Sequence, residues 1–157
     1  MSIVVDINAL APVFNSNCCE HSEFKPVFEW ILKGRGQAVF GGSKFRAELV
    51  RAGRYLRLFG QLKTAGRAVE IRADLVDARE AELIAITQGT GCDDQHIIAI
   101  LCVSGCRLVC SRDSRSYEFI KCKRYYPKRC RVPRIYSSSK NVDLLSDKNC
   151  ARLRNIA

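Results

Sequence analysis

Ile3-Val4-Val5-Asp6-Ile7-Asn8 is a short apolar run that ends in an acid. Three consecutive buried-type side chains read as a strand covered on both faces, and Asp6 then stands where the chain leaves it. The pattern returns along the chain. Ala38-Val39-Phe40 runs into the Gly41-Gly42 turn, Ala68-Val69-Glu70-Ile71 precedes a good helix former from Ala73 to Ile86, and Arg107-Leu108-Val109-Cys110 leads to Ser111-Arg112-Asp113. Arg134-Ile135-Tyr136-Ser137 is a last strand, with a short helix near Asn141 to Leu145. Strands alternating with helices predict an α/β fold of three layers, α/β/α, around a short and mainly parallel sheet.

Between the strands, the segment after Asp6 reads as a loop carrying Pro12, Asn15, Ser16 and Asn17. Pro26 is expected at the first turn of a helix whose Val27, Phe28, Ile31 and Leu32 share a face. Ser43 is the expected N-cap of a helix bearing Phe45, Glu48 and Leu49, which Gly53 ends. Tyr55, Leu56, Phe59 and Leu62 suggest another helix. With 157 residues, 47% hydrophobic and 27% charged, residues 1–157 are expected to form one ordered domain. No apolar run is long enough for a membrane span, and Asp6 interrupts the N-terminal apolar stretch, so a cytoplasmic protein is expected.

Asp6, Glu48, Asp94 and Asp113 all fall where strand or loop turns towards helix. In a parallel sheet, ligands bind beyond the carboxyl ends of the strands, and these acids are placed at that edge. With Asp93 as N-cap, Asp94, Ile97, Ile98 and Leu101 follow the i, i+3, i+4, i+7 spacing of one helix face. Asp94 then faces the sheet, and Asp93 is explained by capping and the helix dipole. Singly, each acid has an ordinary explanation: an Asx turn for Asp6 or Asp113, an ion pair with Lys44 for Glu48. Together, carboxylates at one edge repel and call for a cation. Oxygen ligands suit Mg²⁺ or Mn²⁺ better than zinc. His96 follows Asp94 by two and is expected to point away from its face, and His21 lies in a polar loop without a recognisable partner.

The net charge of +10 attracts polyanions, nucleic acid first among them. Lys121, Lys123, Arg124, Lys128, Arg129, Arg131 and Arg134 follow Asp113, with Tyr125 and Tyr126 among them. Lys121, Lys123, Arg124 and Tyr125 are the candidate RNA contacts, the bases stacking on aromatic rings; the ordinary alternative is a solvated loop. Lys44, Arg46, Arg51, Arg54 and Arg57 form a second basic set around Glu48, suited equally to an acid-bearing protein. The nine cysteines include no Cys-x-x-Cys pair, and they are expected to be free thiols that pack as small core residues.

The Val-Val-Asp-Ile-Asn-Ala-Leu start, the helical Glu48, the Asp94-x-x-Ile-x-Ala helix, the Leu-Val-x-Ser-x-Asp segment and the final Pro133-Arg134-Ile135-Tyr136 strand resemble the PIN-domain ribonucleases in order and spacing. The resemblance covers most of the chain. It implies that Asp6, Glu48, Asp94 and Asp113 are catalytic, metal-binding acids, with Asn8, Ser111 and Asp93 in support. It implies a Mg²⁺- or Mn²⁺-dependent endoribonuclease hydrolysing RNA, in the manner of the toxin of a toxin–antitoxin pair. An antitoxin-type protein or a second copy of the chain would be its protein partners. The alternative is a non-catalytic RNA-binding or protein-interaction module on the same fold. The doubled acid Asp93-Asp94 and the basic, Cys-containing segment before the last strand depart from the family pattern.

Overall fold

The computed structural model describes every residue except Cys150. Its centre is a five-stranded, wholly parallel sheet in the order β3-β2-β1-β4-β5, formed by β1 (Ser2–Val5), β2 (Gln37–Gly41), β3 (Ala68–Ile71), β4 (Leu108–Cys110) and β5 (Arg134–Tyr136). The helices are α1 (Ile7–Phe14), α2 (His21–Leu32), α3 (Ser43–Arg51), α4 (Arg54–Thr64), α5 (Ala73–Ile86), α6 (Gln95–Ser104) and α7 (Tyr117–Ile120). This is the α/β class expected from the alternation of apolar runs. Parallel neighbours need a crossover between them, so the helices cover both faces and the strands read as continuous apolar runs. Ile3, Val4 and Val5 are wholly buried. Among the described residues no helix is long and apolar enough to cross a membrane.

The strand order has one reversal. From β1 the chain moves outward to β2 and β3, then returns to the other side of β1 to form β4 and β5. The switch point therefore lies between the carboxyl ends of β1 and β4, where an open α/β sheet leaves a crevice. Val4 pairs with Val109 and Val5 with Cys110, so Asp6 and Ser111 come level one residue later.

Several local expectations are corrected. The segment after Asp6 is helical from Ile7, with Pro12 inside α1, and Pro26 lies inside α2 rather than at its start. An interior proline costs about 3 kcal/mol. Ala9, Leu10 and Val13 in α1, and Phe24, Val27 and Ile31 in α2, are buried, and at about 1.5–3 kcal/mol for each large side chain they outweigh it. Gly42, not Ser43, is the N-cap of α3, with φ +85°, a conformation that a side chain resists. Ser43 is instead held by Asp77 of α5, whose carboxylate accepts from Ser43 N at 2.7 Å and from Ser43 Oγ at 2.5 Å. The turn after β5 is a 3₁₀ segment, Ser139–Leu144.

Residues 155–157 lie along the outer edge of β3 near its carboxyl end. Arg72 N donates to Asn155 O and Ala157 N to Glu70 O, both at 2.9 Å, and Ile71 bridges Ile156 in antiparallel sense. The described cysteines are all free thiols; Cys102, Cys106 and Cys110 are buried in the core, and burial pushes the Cys102 thiol up to about 11.

Candidate active site at the sheet switch point

Asp6 leaves β1 at the switch point and is only 3% exposed. Its Oδ2 accepts from Asn8 Nδ2 at 2.8 Å and from Ser111 Oγ at 3.0 Å. Asn8 in turn accepts from the backbone of Arg112 at 3.0 Å, and its Nδ2 lies 3.3 Å from Ser111 Oγ. Asp6, Asn8 and Ser111 thus form one network across the β1–β4 seam. Burial raises the Asp6 carboxyl above the usual range, while the Ser111 hydroxyl and the nearby His96 pull it back. Tyr117 braces the same turn by donating from its hydroxyl to Ser111 O at 2.7 Å.

Asp94 occupies the N-cap position of α6, one residue later than expected, and makes no side-chain capping bond. Asp93 therefore caps nothing; it is exposed, and its carbonyl accepts from Lys44 Nζ at 3.0 Å. An N-cap aspartate ordinarily spends its carboxylate on the first backbone N–H groups. The Asp94 carboxylate is not so engaged. Burial first, then the charges of Asp6 and Asp93 and more weakly Asp113, push its carboxyl up to about 6; His96 acts in the other direction. The shared field places Asp94 among the other acids. Carboxylates that raise one another in this way are eased by a nearby cation.

Glu48 is fixed by its helix. Phe45 and Leu49 are wholly buried, which turns the intervening Glu48 towards α6. It meets His96, whose Nε2 lies 3.1 Å from Glu48 Oε2. Burial raises the Glu48 carboxyl, but His96, Lys44 and Arg51 outweigh it and the net shift is downward. His96 is the residue that the sequence reading missed. It was expected to point away from Asp94, but α6 is buried from Gln95 to Cys102, so no side of its first turns faces water. A helix apolar all round offers no outward face. His96 is 3% exposed, and its Nδ1 has no hydrogen-bond partner among the described residues.

Asp113 caps the 3₁₀ turn Ser114–Ser116 through the backbone of Arg115 at 3.1 Å, and both of its oxygens take the Arg115 guanidinium at 3.1 Å. The Arg115 bond holds its carboxyl below the usual range. Three of the four acids thus have different companions: Asn8 and Ser111 for Asp6, His96 for Glu48, Arg115 for Asp113. Among the described residues no three Asp, Glu, His or Cys side chains converge closely enough to share an ion. The donors are nevertheless the hard oxygens that Mg²⁺ and Mn²⁺ prefer. Asp6 and Asp94 carry the oxygens that could hold such an ion, while those of Asp113 are taken by Arg115.

Beyond α7, Lys121, Lys123 and Arg124 are exposed, as phosphate contacts need. The base-stacking role expected of Tyr125 and Tyr126 is not available. Tyr125 is 4% exposed, and the Tyr126 hydroxyl is committed to Ile120 O at 2.7 Å. Both rings serve the core, and Arg124 lies over the Tyr125 ring at 5.5 Å. Comparison with known protein families, with curated proteins and with solved structures finds no match for this chain.

Proposed function

We propose that the chain is a PIN-like, metal-dependent endoribonuclease acting at the β1–β4 switch point. One observation carries the reading. The Asp94 carboxyl is pushed up to about 6 by burial and by the charges of Asp6, Asp93 and Asp113, in a chain of net charge +10. Repelling carboxylates inside a basic protein suit a divalent cation and a polyanionic substrate. Asp6 is oriented by Asn8 and Ser111, and Asp94 carries a carboxylate not spent on its helix. When bound, Mg²⁺ or Mn²⁺ would supply an activated water and offset charge on the phosphodiester. Lys121, Lys123 and Arg124 would hold the RNA by its phosphates rather than by its bases. A toxin role belongs to the same proposal, with an antitoxin-type protein meeting the exposed arginines Arg46, Arg51, Arg54 and Arg57.

The test is cleavage of single-stranded RNA by the purified chain in Mg²⁺ or Mn²⁺. Cleavage should stop in excess chelator and fall by more than about a hundredfold in Asp94→Asn, since even residues that only orient metal ligands cost 10–100-fold. Cleavage that persists in chelator would refute the metal mechanism. A second reading, a non-catalytic RNA-binding module, draws on the engagement of Glu48 by His96 and of Asp113 by Arg115. A preparation that binds RNA but never cuts it with either metal would favour that reading.

A further inference from the structure

At the opposite, amino edge of the sheet, α6 ends at Gly105 and β4 begins, and the segments 129–131 and 151–154 fold against this corner. They enclose a cavity of about 260 Å³ lined by Arg107, Arg129, Arg131, Arg152 and Arg154. No carboxylate lines it among the described residues. Arg154 is built in. Its backbone donates to Ser104 O at 2.9 Å, its Nη2 lies 3.2 Å from Cys130 Sγ, and its guanidinium crosses Gly105, where an added methyl would stand 3.1 Å from Nε.

The ordinary explanation is that cations gather at the carboxyl end of a helix. That end carries roughly half a negative charge, enough for one guanidinium and not for five. Arg46, Arg72, Arg79, Arg112 and Arg115 each hold a carboxylate; Arg129, Arg131 and Arg152, like Arg51, Arg54 and Arg57, hold none among the described residues, but here the arginines line one cavity. The guanidinium charges of Arg129, Arg131 and Arg152 around one small cavity repel, and an anion relieves the repulsion.

We propose that this cavity is a second ligand site, taking a phosphate-bearing polyanion by its phosphates. Guanidinium forks match phosphate oxygens two at a time, which favours phosphate over a simple halide. The lining holds no aromatic ring on which a base could stack, and the volume lies below the 300–1,000 Å³ typical of drug-sized ligands. The phosphates are therefore the recognised part, whether they belong to a free polyphosphate or to an RNA strand passing round the domain. The site does not depend on the acidic pocket at the other edge.

Calorimetric titration of the full chain in chelator, with tripolyphosphate in one arm and a short single-stranded RNA in the other, tests this. Chelator removes any metal-bridged binding at the acids. Arg131 and Arg152 are both exposed, so Arg131→Ala/Arg152→Ala should fold, as circular dichroism would verify. We expect saturable binding to wild type and a loss of at least about tenfold in the double variant. Loss in the tripolyphosphate arm identifies a free polyphosphate as a ligand, and loss in the RNA arm alone identifies the RNA backbone. Lys25→Ala/Lys33→Ala on α2 removes the same charge elsewhere and should bind as wild type does. No saturable binding in either arm, unchanged affinity in the arginine variant, or an equal loss in the lysine variant would overturn the proposal. Asp94→Asn should bind tripolyphosphate normally even if it proves inactive on RNA, so the two sites fail separately.

Discussion

His96 Nε2 and Glu48 Oε2 lie 3.1 Å apart, and this contact joins α6 to α3 beneath the acidic edge of the sheet. The two residues are 48 positions apart in the chain. Removing the imidazole leaves a void and an unpaired, half-buried carboxylate. His96→Ala should therefore lower unfolding free energy by about 2–3 kcal/mol, measured by urea denaturation. Glu48→Gln keeps a hydrogen-bonding oxygen opposite His96 and should cost under about 1 kcal/mol, while still impairing cleavage.

The acidic pocket should make stability depend on pH in an unusual direction. The Asp94 carboxyl is raised to about 6 from an ordinary 3.8, and Asp6 is raised as well. Between those values the folded chain holds a proton that the unfolded chain has released. Stability is then full below about pH 4 and falls as pH climbs through 6, by on the order of 1 kcal/mol for Asp94 once solvent screening of this partly exposed group is allowed for. Glu48 and Asp113 are lowered, so their opposite contribution lies below their ordinary 4.5 and 3.8, and above pH 4.5 only the fall remains. Tm measured from pH 4 to 7.5 in chelator should fall, and Mg²⁺ or Mn²⁺ should flatten the profile. A flat profile in Asp94→Asn would assign the slope to that residue.

Asp6→Asn should separate stability from activity. An Asn oxygen can accept from Asn8 and Ser111 as Asp6 Oδ2 does, so the network survives. A buried charge near Asp94 disappears. Without metal at pH 7.5, the variant should match or exceed the wild-type Tm, while RNA cleavage is lost.

Gly42→Ala should damage the site from a distance. At φ +85° an added methyl would stand 2.6 Å from Val76 Cγ1. Overpacking of this kind costs about 1–3 kcal/mol, and the left-handed backbone adds to it. The strain falls on the first turn of α3, so Glu48 shifts with it. Chemical denaturation and cleavage rate should decline together, unlike in Asp6→Asn.

The strands were legible because each is a short apolar run bounded by polar residues or glycine, and Ala68–Ile71 and Ala73–Ile86 carry the ends that the sequence suggested. Asp6 was legible for a related reason, since strand ends in a parallel sheet come level with one another; Asn8 and Ser111 were expected only through the family resemblance, and both bond Asp6. What escaped were interactions between segments with no local signature. Asp77 holds Ser43 from another helix, so an apparent cap was not one. His96 was set aside by a face argument that fails on a helix buried on every side. Tyr125 and Tyr126 sit in a basic run that looks solvated throughout, yet the core takes their rings. The arginine cavity gathers three segments that adjacent residues do not announce.

The pairing of Asn155–Ala157 with β3 also governs how this molecule meets others of its kind. β3 is an outer strand of a sheet built from apolar runs, and residues 155–157 engage Glu70 O within it and Arg72 N just past its end. Trimming residues 155–157 would leave a row of donors and acceptors ready to accept a strand from a neighbouring molecule, the usual first step towards aggregation. Light scattering of a chain shortened to residue 154 should reveal assemblies that grow with concentration, whereas the intact chain keeps that edge closed from within.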